Sequence, residues 1–215
     1  MMVIYSFLVL VIFKRGSAMY SALLFSALIS WRWFTFSTLS SVKSITSNAS
    51  IIKSIRVPLS IFPTVKVFVG FYNYLYSLIA IFPLLFLFHV KLTTNVLWLP
   101  VVVFVQLLFT LGVALILSMM GVYVKDTENF VKAGLRAWFY LSPGLYSVHD
   151  RVPDEYVKYF MLNPFSGLFE SYKNILVRGT PPDPYLAYVF VLSVVLVLMG
   201  VFCHSRCGSN VTKVL

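Results

Sequence analysis

Long charge-free apolar runs alternate with short basic stretches along the whole chain. Residues 97–124 hold no charged side chain in 28 positions, and residues 185–203 hold none in 19. A helix needs about 20 such residues to cross a bilayer. Residues 67–88 form a third run, rich in Tyr and Phe. Residues 18–41 form a fourth, interrupted only by Arg32 within Trp31-Arg32-Trp33-Phe34. Shorter runs at 1–13 and 133–147 complete the set. The pattern predicts six transmembrane helices over about 1–13 (truncated), 18–41, 67–88, 97–122, 133–147 and 185–203. The runs are too long and too uniform for the in–out alternation of an outer-membrane barrel, so the fold class is an all-α integral membrane protein in one domain. The first run is too short for a full span, so either the true start lies upstream or that helix is cut short. No basic residue precedes it, which argues against a cleaved signal peptide.

The connections differ in character. The loop at 42–66 is basic, with Lys43, Lys53, Arg56 and Lys66 and no acid. Its Ile45, Ile51, Ile52 and Ile55 fall roughly on one helical face, with Lys53 and Arg56 opposite. That is either an amphipathic segment lying on the membrane or an ordinary basic loop. Pro58 and Pro63 are expected to break it before the next span. Tyr72, Tyr74 and Tyr76 alternate and cannot share one side of a helix. The turn after the fourth span is charged (KDTENFVKAGLR), the fifth run is broken at Ser142-Pro143-Gly144, and residues 149–184 are polar, aromatic and punctuated by prolines.

Composition sharpens this picture. The 215 residues are 60% apolar and 11% charged, against about 25% charged in soluble domains. The net charge of +10 would suggest nucleic acid in a soluble protein, but here basic loops facing anionic lipid account for it. Lys43, Lys53, Arg56, Lys66, Lys125, Lys132, Arg206 and Lys213 fall on one side of a six-span layout. Lys14, Arg15 and Lys91 fall on the other. The first side is the cytoplasm and holds both termini, which places 149–184 outside. Arg32 costs about 2.5–3.5 kcal/mol within a span. It therefore faces a cavity or partner, or snorkels from a helix end beside belt tryptophans.

Little of the sequence points to chemistry. Cys203 and Cys207 flank His204 without the further ligands a metal site needs. The NAS and NVT strings at Asn48 and Asn210 fall on the cytoplasmic side. No GxSxG, HExxH, DxD or phosphate-loop string occurs, so the chain has no ATP site of that kind. A small membrane acyltransferase would need a His or carboxylate constellation at a span end. His149-Asp150 and Asp154-Glu155 are the candidates, and a solvated loop face explains them more simply.

Several residues together resemble a known family. They are Trp31 with Phe34, Asn48 followed by Ile51-Ile52-Lys53 and Pro58, Val124-Lys125-Asp126, Leu141-Ser142-Pro143 with Tyr146, and Leu162-Asn163-Pro164. In order and spacing these are similar to the permeases of type 2 ABC exporters for bacterial surface polysaccharide, the O-antigen, teichoic-acid and capsule type. Members usually begin with a cytoplasmic amphipathic helix, which has no counterpart here. They usually read Arg-Asp where this chain has Lys125-Asp126, which keeps the charge and loses the planar fork.

The resemblance implies a homodimer with the substrate path between the copies, in the bacterial inner membrane. Two copies of a separate ATPase subunit would bind the ATP, and the chain itself would hold no cofactor. Asn48, Lys53, Arg56, Lys125, Asp126 and Glu128 would meet that ATPase. The external segment would dip back as two short helices, 153–161 and 164–177, each opened by a proline. Pro143, Pro153, Asn163 and Pro164 would belong to this outer gate. A polysaccharide cannot shed water into hydrocarbon, so its path needs wet walls on which sugar faces can stack. Trp31, Trp33, Phe34, Tyr72, Tyr76, Trp138, Tyr140 and Tyr146 are the aromatic candidates. Arg32 and Arg136 would meet the pyrophosphate of a lipid-linked substrate, although Arg136 also reads as a basic anchor at a helix end. A type 2 permease for a drug or lipid is the alternative within the superfamily.

Overall fold

The computed structural model describes residues 18–55, 57–87, 93–144, 146 and 153–214, and among these it contains helices and no strands. The described residues form eight α-helices, in order α1 Ala18–Val42, α2 Ala49–Ser54, α3 Ile61–Leu87, α4 Leu99–Tyr123, α5 Thr127–Leu141, α6 Asp154–Met161, α7 Pro164–Lys173 and α8 Leu186–Val214. Short 3-10 turns at Thr46–Asn48 and Thr94–Trp98 precede α2 and α4. The run expected at 1–13 lies outside the described residues, as do Arg56, His149 and Asp150.

Three described segments are long and apolar enough to cross a membrane: Ala22–Val42, Thr94–Tyr123 and Leu186–Arg206. They correspond to the second, fourth and sixth expected runs. α3 has 27 residues, about 40 Å at 1.5 Å per residue. Its face bearing Val65, Phe68, Val69, Tyr72 and Tyr76 is exposed. α5 has 15 residues, about 22 Å, which is short of the ~30 Å hydrocarbon core.

The boundaries shift for identifiable reasons. α3 begins at Ile61 rather than 67, because Pro63 falls in its first turn, where a missing N–H breaks no helical bond. α5 covers 127–141 rather than 133–147. Thr127 starts it by donating its hydroxyl to the Val124 carbonyl at 2.7 Å, and Pro143 cannot continue it. The loop at 42–66 does not form one amphipathic helix. Ile45 and Ile52 are buried against Met119, Val122 and Val211, whereas Ile51 and Ile55 are exposed. α8 continues past Cys203 to Val214.

α4 is the hub of the bundle. It packs most extensively against α8 and also touches α1, α3, α5 and α7. α8 is peripheral: only 22% of its span is buried, and Phe190, Val194, Leu198 and Phe202 face outward. α7 is the opposite case. Its residues Phe165 to Lys173 are all buried, packed against α1, α4 and α8. The chain leaves α7 through a π-helical turn, Asn174–Arg178, that ends at Gly179 with φ 69°. A Cβ there would lie 2.7 Å from the Thr93 methyl, so glycine is required by both conformation and space.

Candidate translocation groove and outer gate

α1 and α5 run side by side and leave a groove of about 670 Å³ between them. Trp31, Arg32 and Thr35 line it from α1, and Lys132, Arg136 and Tyr140 from α5. The spacing explains the α5 set, since positions four apart share a helix face. Phe25, Leu28, Ile29 and Phe139 provide an apolar floor. The groove therefore brings together four of the expected path residues, Trp31, Arg32, Arg136 and Tyr140.

At one end of the groove the chain clamps itself. Glu128 forms ion pairs with Lys43, just beyond α1, and with Lys132, one turn along α5. Hydrogen bonds from Lys132 and then Lys43 hold the Glu128 carboxyl down at about 2. Glu128 is thus engaged inside the chain, whereas Lys125 and Asp126 beside it are exposed.

The other end of α5 is tied to α7. The Asn163 Oδ1 accepts from the Phe165 N–H at 3.1 Å, which makes Asn163 the N-cap of α7, and from the Trp138 indole N–H at 3.0 Å. The Asn163 Nδ2 donates to the Ser142 hydroxyl at 2.8 Å, and Ser142 donates to the Trp138 carbonyl at 2.7 Å. Two stretches that look unrelated in sequence, Ser142-Pro143 and Asn163-Pro164, meet here. The buried Lys173 of α7 adds a second tie by donating to the Pro143 carbonyl at 2.7 Å and the Tyr146 carbonyl at 2.6 Å. Its charge is balanced by the buried Glu170 at 3.2 Å, which Arg178 also reaches at 3.1 Å. Pro164 occupies the first turn of α7, and Pro153 is exposed ahead of α6.

Other expected residues are placed elsewhere. Trp33 is buried and stacks on Tyr74 at 4.6 Å. Phe34 is fully buried in a ring cluster with Trp31, Phe109, Trp138 and Phe165. Phe34, Phe109 and Phe165 fill the core of the chain, with Trp31 half-buried between that core and the groove. Trp138 is half-buried between that cluster and Asn163, and Tyr146 is half-buried in the turn held by Lys173. Tyr72 and Tyr76 are exposed on the open face of α3, away from the groove. The Asn48 amide donates to the Ser44 carbonyl at 2.8 Å, and Lys53 is exposed.

Three features went unread in the sequence. Gln106, the lone strongly polar residue in the apolar run of α4, is fully buried. It accepts from Ser30 at 2.8 Å and Tyr172 at 2.7 Å and donates to the Ser30 carbonyl at 2.9 Å, joining α1, α4 and α7. A glutamine inside a charge-free span was the available signal, because a buried amide needs partners. Lys173 and Glu170, three apart, were hidden in a segment read as external. Lys132 was visible as Glu128 plus four. No group of three or more His, Cys, Asp or Glu that would hold a metal occurs among the described residues.

No protein-family model matches the sequence. Among curated proteins, two from Klebsiella pneumoniae named O-antigen export system permease protein RfbA are 25% and 26% identical to this chain. Each alignment covers 213 residues, 99% of this chain and 82% of the relative. A protein of the same name from Myxococcus xanthus is 30% identical over 209 residues, 95% of this chain and 80% of the relative. Identity of 30% with coverage of 95% of this chain and 80% of the relative, together with three apolar spans and a bundle that the polar motifs tie together, leads to one conclusion: this chain belongs to the O-antigen export system permease family.

Proposed function

We propose that this chain is the membrane-spanning permease subunit of an ATP-driven ABC exporter that moves lipid-linked O-antigen polysaccharide across the bacterial cytoplasmic membrane. The observation that carries this beyond family membership is the α1–α5 groove, where aromatic and cationic residues combine. Trp31 and Tyr140 offer ring faces that stack on sugars without binding their hydroxyls, and Arg32, Lys132 and Arg136 set the sign of the charge. An open, half-lined groove suits a path completed by a second copy. The working unit is a homodimer with two ATPase subunits.

In this reading six spans place both termini in the cytoplasm, with α3, α5 and the run at 1–13 completing the set. The exposed Lys125-Asp126 turn, with Asn48 and Lys53, faces the ATPase. The subunit does no chemistry itself, and its motion is driven by ATP hydrolysis on the partner. α7, held to the end of α5 by Asn163 and Lys173, closes the outer end of the path.

The test is complementation of cells that lack their own O-antigen permease but retain the ATPase. The wild-type chain restores surface polysaccharide. Asp126→Ala lowers both export and permease-stimulated ATP hydrolysis, and Trp31→Ala with Tyr140→Ala lowers export alone. Absence of surface polysaccharide with the wild-type chain, despite normal membrane insertion, would refute the assignment.

A further inference from the structure

The last turns of α8 enter a small core of their own. Val211 is fully buried, although it lies five residues beyond Arg206, where the apolar span ends. A helix end in such a place frays unless something ties it down. Here Val211 joins Ile45, Ile52, Met119 and Val122, with Leu59 and Phe62 packed alongside. None of these belongs to the large cluster around Phe34, Phe109 and Phe165. The approach of α8 is fixed two turns earlier. His204 is buried, and its Nε2 lies 3.1 Å from the Leu115 carbonyl, so the Nε2–H tautomer donates to α4. Positions 204 and 211 share a face of α8, as Leu115, Met119 and Val122 share a face of α4.

This small core stands directly behind the two segments proposed to meet the ATPase. Ile52 is the one buried side chain of α2, and the exposed Lys53 follows it. Val122 is three residues before the exposed Lys125-Asp126 turn. With six residues α2 is too short to hold its place by helix formation alone. Its position depends on what Ile52 meets, and among the described residues α8 contributes Val211 to that contact.

We infer that the end of α8 is a bracket that sets α2 against the α4–α5 turn, with Val211 as its positioning residue. A partner that binds α2 and the turn together gains from their fixed spacing, because the second contact then forms at high effective concentration. Without Val211, α2 moves independently of the turn while the spans keep their packing. This inference rests on the permease reading and its cytoplasmic placement of both segments.

The test uses the full chain in phosphatidylcholine nanodiscs, with the ATPase subunit retained by the complementation strain. Hydrogen exchange reads the order of α2, and titration with the ATPase reads docking. Val211→Ala speeds exchange of the Lys53, Ser54 and Ile55 amides by about fivefold or more and weakens ATPase binding by a similar factor, the scale of a truncated buried aliphatic side chain. Amides in the middle of α4 keep their wild-type rates. Val211→Ile, which keeps a β-branched apolar side chain, restores both readouts. Ser205→Ala, at an exposed position on the same helix, changes neither. A chain ended after Arg206, which keeps all three apolar spans, loses at least as much as Val211→Ala.

Unchanged exchange at α2 in both Val211→Ala and the shortened chain would overturn the bracket. Exchange that rises equally through α4 and α8 would make Val211 an ordinary packing residue and overturn it as well. Faster exchange at α2 with unchanged ATPase binding would overturn its part in docking. A wild-type chain that binds no ATPase, while Val211 still governs exchange at α2, would sink the permease reading and leave the bracket in place.

Discussion

Replacement of Asn163 by Ala isolates the tie between α5 and the buried α7. The side chain makes three hydrogen bonds, to the Phe165 N–H, the Trp138 indole and the Ser142 hydroxyl. Loss of an N-cap costs about 1 kcal/mol. Leaving the indole N–H without an acceptor costs roughly 1–2 kcal/mol more, because Trp138 is half-buried and water compensates only in part. Ser142 retains its bond to the Trp138 carbonyl at 2.7 Å, so its share is small. The expected loss is about 2–3 kcal/mol in all. Asn163→Asp keeps the acceptor for Phe165 and Trp138 and loses only the donor to Ser142, so it should cost less than half as much. Reversible unfolding in bicelles, followed by tryptophan fluorescence, measures both. In a double-mutant cycle with Trp138→Phe the two losses should be less than additive, because they share one bond. An Asn163→Ala change within about 0.5 kcal/mol of wild type, the level of an ordinary surface substitution, would refute the reasoning. So would Asp and Ala variants of equal stability.

Two further outcomes follow from other parts of the bundle. A Cβ on Gly112 would lie 2.7 Å from the Leu196 Cβ and 2.8 Å from the Leu196 and Val197 backbone. Gly112→Ala therefore forces α4 and α8 apart and should cost about 1–3 kcal/mol, the usual cost of overpacking; unfolding in bicelles at wild-type stability would contradict this close approach. The Glu128 carboxyl is held at about 2 when folded and titrates near ~4.3 when unfolded. A depressed carboxyl stabilises the fold above the unfolded value and loses that contribution as the pH falls through the folded one. The stability difference between wild type and Glu128→Gln should be constant from pH 5 to 8 and shrink toward pH 2. A difference that changes between pH 5 and 8 would assign the clamp to another group.

The long helices were legible in the sequence because hydrocarbon imposes its own length and composition on any segment that crosses it. Residues 97–124 became α4 nearly as read, and the prolines at 153 and 164 marked where α6 and α7 start. The family, too, was legible from short polar strings in order. The same logic could not assign partners. Trp33 and Phe34 read as path residues, yet Tyr74, Phe109 and Phe165 enclose them. Glu128 read as a surface contact, yet Lys43, 85 positions earlier, reaches it. An apolar run specifies that a helix is buried in lipid or protein, and it is silent about which of its faces meets which. The meeting of Ser142 with Asn163, the Gln106 node and the α1–α5 groove arise from the crossing of helices distant in the chain. Only the packed bundle decides them, because a hydrogen bond or ion pair depends on distances that periodicity along one helix does not encode.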